Sequence, residues 1–113
     1  MTIVINQAEL PLSGTVPLFE GYEYGDTHVS FLLVELPPGD GPDLHSHPYE
    51  EIFVVQAGQA TFTAGDATIE AIGGQIVIVP AGRPHKFVNS GTGPLRQINI
   101  HPSPRLITTW LPD

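Results

Sequence analysis

Turn-forming residues recur along this chain at intervals too short for a helix of ordinary length. Glycine or proline stands at Gly25, in "PPGDGPD" (37–43), at Pro48, Gly58 and Gly65, and then in "GG" (73–74), "PAGRP" (80–84), "GTGP" (91–94) and "PSP" (102–104). Proline removes a backbone donor and glycine loses the most entropy on ordering, so neither belongs in the interior of a regular element. Twelve glycines and twelve prolines among 113 residues exceed the roughly 12% of an average chain. They are spread as punctuation instead of clustered as low-complexity sequence. Regular turn signals between short segments indicate a sandwich or barrel.

The segments between those turns agree. "HVSFLLVEL" (28–36), "EIFVV" (51–55), "ATFTA" (60–64), "ATIEAI" (67–72), "QIVIV" (75–79), "HKFVN" (85–89), "RQINI" (96–100) and "LITTW" (106–110) are rich in β-branched and aromatic residues, and several alternate in polarity. No window carries a capped apolar stripe of helical period, so almost no helix is expected. "TIVIN" (2–6) reads as a further strand, within a candidate N-terminal strand arm spanning residues 1–12. The length suits one domain with one core, residues 1–113, and no linker divides it.

Composition excludes several classes of chemistry. The chain has no cysteine, which removes disulfides, thiolate metal sites and cysteine nucleophiles. Its formal net charge is -8, and the four basic residues, Arg83, Lys86, Arg96 and Arg105, are dispersed. A phosphate backbone would meet no basic stripe, so no nucleic-acid partner is expected. The start "MTIVINQAEL" lacks the pattern of a secretory signal, and the apolar run around "IVIVPA" is far short of the roughly 20 residues of a membrane span. The expectation is a cytoplasmic protein without a membrane partner.

The densest chemistry lies in "HSHPYEE" (45–51). In a strand, residues i and i+2 share a face about 6.6 Å apart, so His45 and His47 can close on one cation. Glu51 shares their parity and Glu50 does not, although Pro48 can bend the path between them. A second histidine, His85, follows a strand and a Pro-Ala-Gly turn in "GGQIVIVPAGRPHKFVN" (73–89). Burying three imidazoles and a carboxylate together without a cation would leave unsatisfied polar groups at about 1–3 kcal/mol each.

These two segments carry a resemblance. Gly39 to Gly58 reads G-x5-H-x-H-x3-E-x6-G, and Gly74 to Asn89 reads G-x5-P-x-G-x2-H-x3-N. Together they resemble the two sequence motifs of the cupin superfamily, with no departure at the defining positions. The resemblance implies a small single-domain cupin, an all-β jelly-roll barrel also described as a double-stranded β-helix. It implies His45, His47, Glu51 and His85 as ligands of one divalent transition-metal ion, whether Fe, Mn, Ni, Cu or Zn, with coordination positions left open. It also implies a homodimer formed through sheet faces and exchanged terminal strands, for which "TIVIN" and "LITTW" are the candidates.

Candidate pocket-lining residues are Phe53, Phe87, Tyr49, Arg83 and His101. Each has a plainer reading: a core phenylalanine, a surface tyrosine, a solvated loop arginine, a barrel-wall histidine. His28 reads as a surface or wall residue, and Asn89 as the source of a turn hydrogen bond. No residue can be assigned as catalytic from the sequence. The expected function is a metal-binding module that holds a small organic ligand or substrate and acts on it as a dioxygenase would. The alternatives are a non-catalytic ligand-binding or sensing module, and an isomerase or epimerase, which would need a second base, His101 or Tyr49. Fold does not choose among them.

Overall fold

The computed structural model describes residues 2–113. The chain forms β1 (Leu12–Ser13), β2 (Val16–Phe19), β3 (Ser30–Leu36), β4 (His45–Ser46), β5 (Glu51–Ala57), β6 (Gln59–Ala64), β7 (Ala67–Ile72), β8 (Ile76–Val79), β9 (His85–Asn89), β10 (Leu95–His101) and β11 (Thr109–Trp110). The only helical pieces among the described residues are 3-10 turns at Gln7–Glu9 and Gly21–Glu23. One sheet has the order β1-β2-β3-β10-β5-β8 and the other β11-β4-β9-β6-β7, all paired antiparallel. This is the all-β, two-sheet jelly-roll architecture. Among the described residues no helix is long and apolar enough to cross a membrane.

Strand alternation decides what lies between the sheets. On β5, Glu51, Phe53 and Val55 are buried; on β9, His85, Phe87 and Asn89 are; on β6, Ala60, Phe62 and Ala64. Phe53 from the first sheet meets Phe62 and Phe87 from the second, with ring centroids 4.9 and 5.8 Å away. Each such ring contributes about 1.5–3 kcal/mol of burial and helps lock the sheets face to face. At one end the inward positions turn polar, and the site lies there.

On β10 the pattern runs against hydrophobicity. Gln97, Asn99 and His101 are buried on the inner face, while Ile98 and Ile100 belong to the outer face. There Ile98 sits opposite Leu33 and Val54, and Val54 opposite Ile76; Ile100 sits opposite Phe31 and Ile52, and Ile52 opposite Ile78. Directly paired residues share a face. The outer surface of the first sheet is therefore two parallel apolar rows, ending in Ile76 and Ile78, which are 63% and 64% exposed.

The termini depart from expectation. Residues 2–6, expected as a strand, carry none; Val4 is 91% exposed and finds no apolar partner that would hold it. The strand expected over 106–110 shrinks to Thr109–Trp110, which pairs with β4 of its own barrel. A hairpin that was not expected, β1–β2, opens the first sheet instead. Its Pro17 sits opposite Leu12, next to a tight turn at Gly14 (φ 63°).

Phe62 is fully buried, so Phe62→Ala should destabilise the fold by about 3–5 kcal/mol. Ile69, 41% exposed on the edge strand β7, should tolerate alanine within roughly 0.5 kcal/mol. Urea unfolding followed by circular dichroism checks both; equal shifts of midpoint would contradict the placement of the core.

Candidate metal centre

His45 and His85 are direct partners across β4 and β9, so the register of the second sheet brings their rings to 4.4 Å. Glu51 opens β5 in the first sheet. The chain therefore changes sheets between His47 and Glu51, and strand parity cannot carry from one to the other. Glu51 faces inward because it heads the buried series Glu51, Phe53, Val55; Glu50 is exposed. The turn before His85 is tied to the same place by the Gly82 N–H, which donates to the His47 carbonyl at 2.7 Å, with Gly82 at φ 76°, a conformation that favours glycine. His45, His47, Glu51 and His85 are all buried, and their ligand atoms lie within 4.8 Å of one another.

Backbone carbonyls orient three of the imidazoles. The Nδ1–H of His45 donates to Asp43 O at 2.7 Å, that of His47 to Ile107 O at 2.9 Å and that of His85 to Arg83 O at 2.8 Å. A carbonyl can only accept, so each neutral ring carries its proton on Nδ1 and turns a bare Nε2 inward. This is the tautomer a metal ligand needs, fixed before any ion arrives.

Those bare nitrogens crowd the carboxylate. Glu51 Oε1 lies 3.0 Å from His47 Nε2 and 3.1 Å from His85 Nε2, and Oε2 lies 3.0 Å from His101 Nε2. His47 Nε2 and His101 Nε2 are buried and have no aligned hydrogen-bond partner. Lone pairs facing lone pairs repel, and either protons or a cation must stand between them. Three neutral imidazoles and one carboxylate form a donor set suited to a borderline divalent ion, so the residues present fit such an ion.

The titration behaviour of these groups follows from the same crowding. Burial pushes the Glu51 carboxyl up, but contacts from His101, His47 and His85 outweigh it and hold the group well below the usual carboxylate range. Burial drives the His45 imidazole down, which favours its neutral form. Burial also opposes charge on His85, but the Glu51 carboxylate, to which a protonated Nε2 would donate, and the Nδ1–H bond to Arg83 O raise it.

His101 joins the site from β10. Tyr49 Oη accepts the Ile107 N–H at 3.1 Å and lies 2.7 Å from His101 Nδ1. The hydroxyl and that nitrogen share one proton between them, while His101 Nε2 lies 3.0 Å from Oε2. This fourth histidine thus contacts the oxygen of Glu51 that is turned away from His47 and His85. Its alternation with Asn99 and Gln97 is the signal that places it inside, but Ile98 and Ile100 mask that signal in the sequence.

The remaining candidates are distributed as follows. Phe87 and His101 line the cavity beside the site. Tyr49 stands behind them, stacked on His47 with ring centroids 5.2 Å apart, and burial raises its hydroxyl. Phe53 packs in the core edge-on to His85 at 6.0 Å and does not reach the cavity wall. Arg83 is exposed, because only its backbone turns toward the site; its carbonyl orients His85 and its side chain lies over Gly65. His28 is exposed. Asn89 clamps a loop, donating to Leu36 O and Gly93 O at 2.9 Å and accepting from Gly91 N–H. Trp110, unforeseen at the site, lies with its ring 5.1 Å from that of His45.

The family model described as "Cupin domain" matches residues 32–101. An uncharacterised protein of Streptomyces coelicolor is 34% identical over 62 residues, which cover 55% of this chain and 59% of that protein. Among solved structures, a variant of the oxalate decarboxylase of Bacillus subtilis aligns with TM-score 0.77 and 23% identity, over 85% of this chain and 27% of that one. A Bacillus subtilis oxalate decarboxylase studied for its Mn(II) centres aligns equally, with TM-score 0.77 and 23% identity over the same shares of the two chains. The match thus spans about a quarter of those chains and somewhat over half of the Streptomyces protein, and the structural likeness is one of fold.

Glu51→Gln should lower bound metal far more than Glu50→Gln, as measured by elemental analysis after dialysis against a fixed free metal concentration. Equal loss in the two variants would contradict the geometry. His45→Ala, His47→Ala and His85→Ala should each lower occupancy while circular dichroism still reports the β fold.

Proposed function

The chain belongs to the cupin family, and on that premise we propose that residues 1–113 form one cupin barrel that holds a divalent transition-metal ion on His45, His47, Glu51 and His85. The barrel binds a small organic molecule beside the ion and acts on it as a dioxygenase-like enzyme. The observation that carries this reading is the convergence of three Nε2 atoms and one carboxylate within 4.8 Å, three of the four residues lining a cavity of about 410 Å³. The Mn(II) centres of the fold-related oxalate decarboxylase support a transition metal, with Fe, Mn, Ni, Cu and Zn all compatible with the donors. When bound, the ion would supply Lewis acidity and coordination positions for O2 or a ligand oxygen.

The chain's own residues prepare the site. Asp43, Ile107 and Arg83 carbonyls hold the imidazoles in the ligating tautomer. Phe53 packs edge-on against the His85 ring from the core side. His101 and Tyr49, bonded at 2.7 Å, favour a second reading, an isomerase or epimerase, because His101 lines the cavity and provides an acid or base separate from the ligands.

A second copy of the chain is the partner that suits the outer face of the first sheet. Its two apolar rows form a contiguous patch of the kind that marks an interface, and a homodimer through it would cover Ile76 and Ile78.

Protein purified without added metal should carry about one transition-metal ion per chain by elemental analysis. After anaerobic Fe(II) reconstitution it should consume O2 with at least one member of a substrate panel. Metal with no O2 uptake, but proton exchange into a ligand that Tyr49→Phe abolishes, would favour the isomerase. Sedimentation should give a dimer, converted to monomer by Ile76→Lys with Ile78→Lys; a monomeric parent chain would end the dimer reading.

A further inference from the structure

The cavity beside the four ligands has walls of uneven chemistry. Val16, Leu32, Val34, Leu36, Phe87 and Leu106 line it with apolar side chains. The charged side chains in the wall are Asp40 and Glu51, both acidic. Each of the chain's four basic residues is engaged elsewhere or faces outward. Lys86 pairs with Asp113 at 2.8 Å, and the Arg105 guanidinium lies 3.8 Å over the Tyr22 ring. Arg83 lies over Gly65, and Arg96 is exposed on the first sheet. A divalent ion among the ligands would be offset in part by Glu51, with the exposed Asp40 in the same cavity wall, inside a chain of net charge -8. A small dianion would find no second cation and a repulsive field.

One polar group in the wall and one apolar ring at the rim bear on what a ligand would present. Gln97 Nε2 donates to Asn99 Oδ1 at 2.9 Å, which leaves the Asn99 amide N–H2 as the group offered to the cavity. At the rim, Trp110 is 64% exposed, lines the cavity and lies against His45. A large apolar ring left in water at a cavity mouth gains most from a ligand that covers it.

We infer that this cavity takes a neutral or singly charged small molecule with an extended apolar body and one oxygen-donor end, the donor directed to the metal ligands and the body lying between Leu32, Leu36, Phe87 and Trp110. This inference rests on the metal-binding reading above. It separates the chain from the oxalate decarboxylases it resembles in fold, since oxalate is a compact dianion with no apolar surface.

The test uses the full chain loaded with Zn(II), and reads binding from the fluorescence of Trp110, the sole tryptophan, and from calorimetry. Acetohydroxamate, hexanohydroxamate and octanohydroxamate share one donor head and differ only in apolar length; oxalate is the fourth probe. Affinity should rise roughly tenfold for every two methylenes the cavity buries, and oxalate should bind more weakly than octanohydroxamate. Trp110→Ala, with its fold and Zn(II) content checked by circular dichroism and elemental analysis, should reduce the gain from acetohydroxamate to octanohydroxamate severalfold in calorimetry. A flat series, or oxalate as the tightest probe on a zinc-loaded chain, would overturn the ligand class while leaving the metal site standing. Failure of the chain to take up Zn(II) in dialysis would overturn the metal reading itself.

Discussion

Glu51 is 2% exposed and has its two oxygens among the Nε2 atoms of His47, His85 and His101 at 3.0 to 3.1 Å. A carboxylate in that setting costs several kcal/mol of desolvation unless charge and donors surround it. The architecture at this end of the barrel supplies them from separate directions. β5 brings the carboxylate from one sheet, β4 and β9 bring His45 and His85 from the other, and β10 brings His101 to the remaining oxygen. Removing any partner would leave an uncompensated buried group, while the apolar core around Phe53, Phe62 and Phe87 holds the sheets together.

The division between those ends explains how a rigid site coexists with an open cavity. Phe53, Phe62 and Phe87 hold the sheets in register below the ligands. Above them, Leu32 and Leu36 of β3 and Leu106 of the C-terminal segment are only partly buried and leave room. The C-terminal segment also serves the site directly. The Ile107 carbonyl orients His47, the Ile107 N–H holds Tyr49, and Trp110 covers His45. A segment with little strand of its own thus touches three of the site's aromatic rings.

The sequence reads most clearly where chemistry and turn signals coincide. The spacing of His45, His47, Glu51 and His85, bracketed by Gly39, Gly58, Gly74 and Gly82, is a local pattern and can be seen without coordinates. The strands over 67–72 and 85–89 begin and end where the sequence bounds them, and the second buries alternate residues. His101, a candidate for the cavity wall, does line it; Asn99 beside it also faces inward, while Ile98 and Ile100 take the outer face. The hairpin at β1 and β2 was not expected, and the absence of a strand over 2–6 could not be read from its β-branched residues. Each miss has the same origin: propensity describes a segment, while the face it presents is set by what the rest of the barrel leaves room for.

The central claim is that three neutral imidazoles and one carboxylate bind one ion, and its most direct test is the proton dependence of that binding. Imidazole coordinates only without its second proton, with a reference pKa of about 6.5, whereas carboxylates are protonated near 4. Bound metal measured by equilibrium dialysis against pH, at fixed free metal, should persist somewhat below the imidazole reference. It should then fall steeply, with more than one proton taken up per ion released. A shallow dependence of a single proton, or retention of metal down to the carboxylate range, would contradict a site built on His45, His47 and His85.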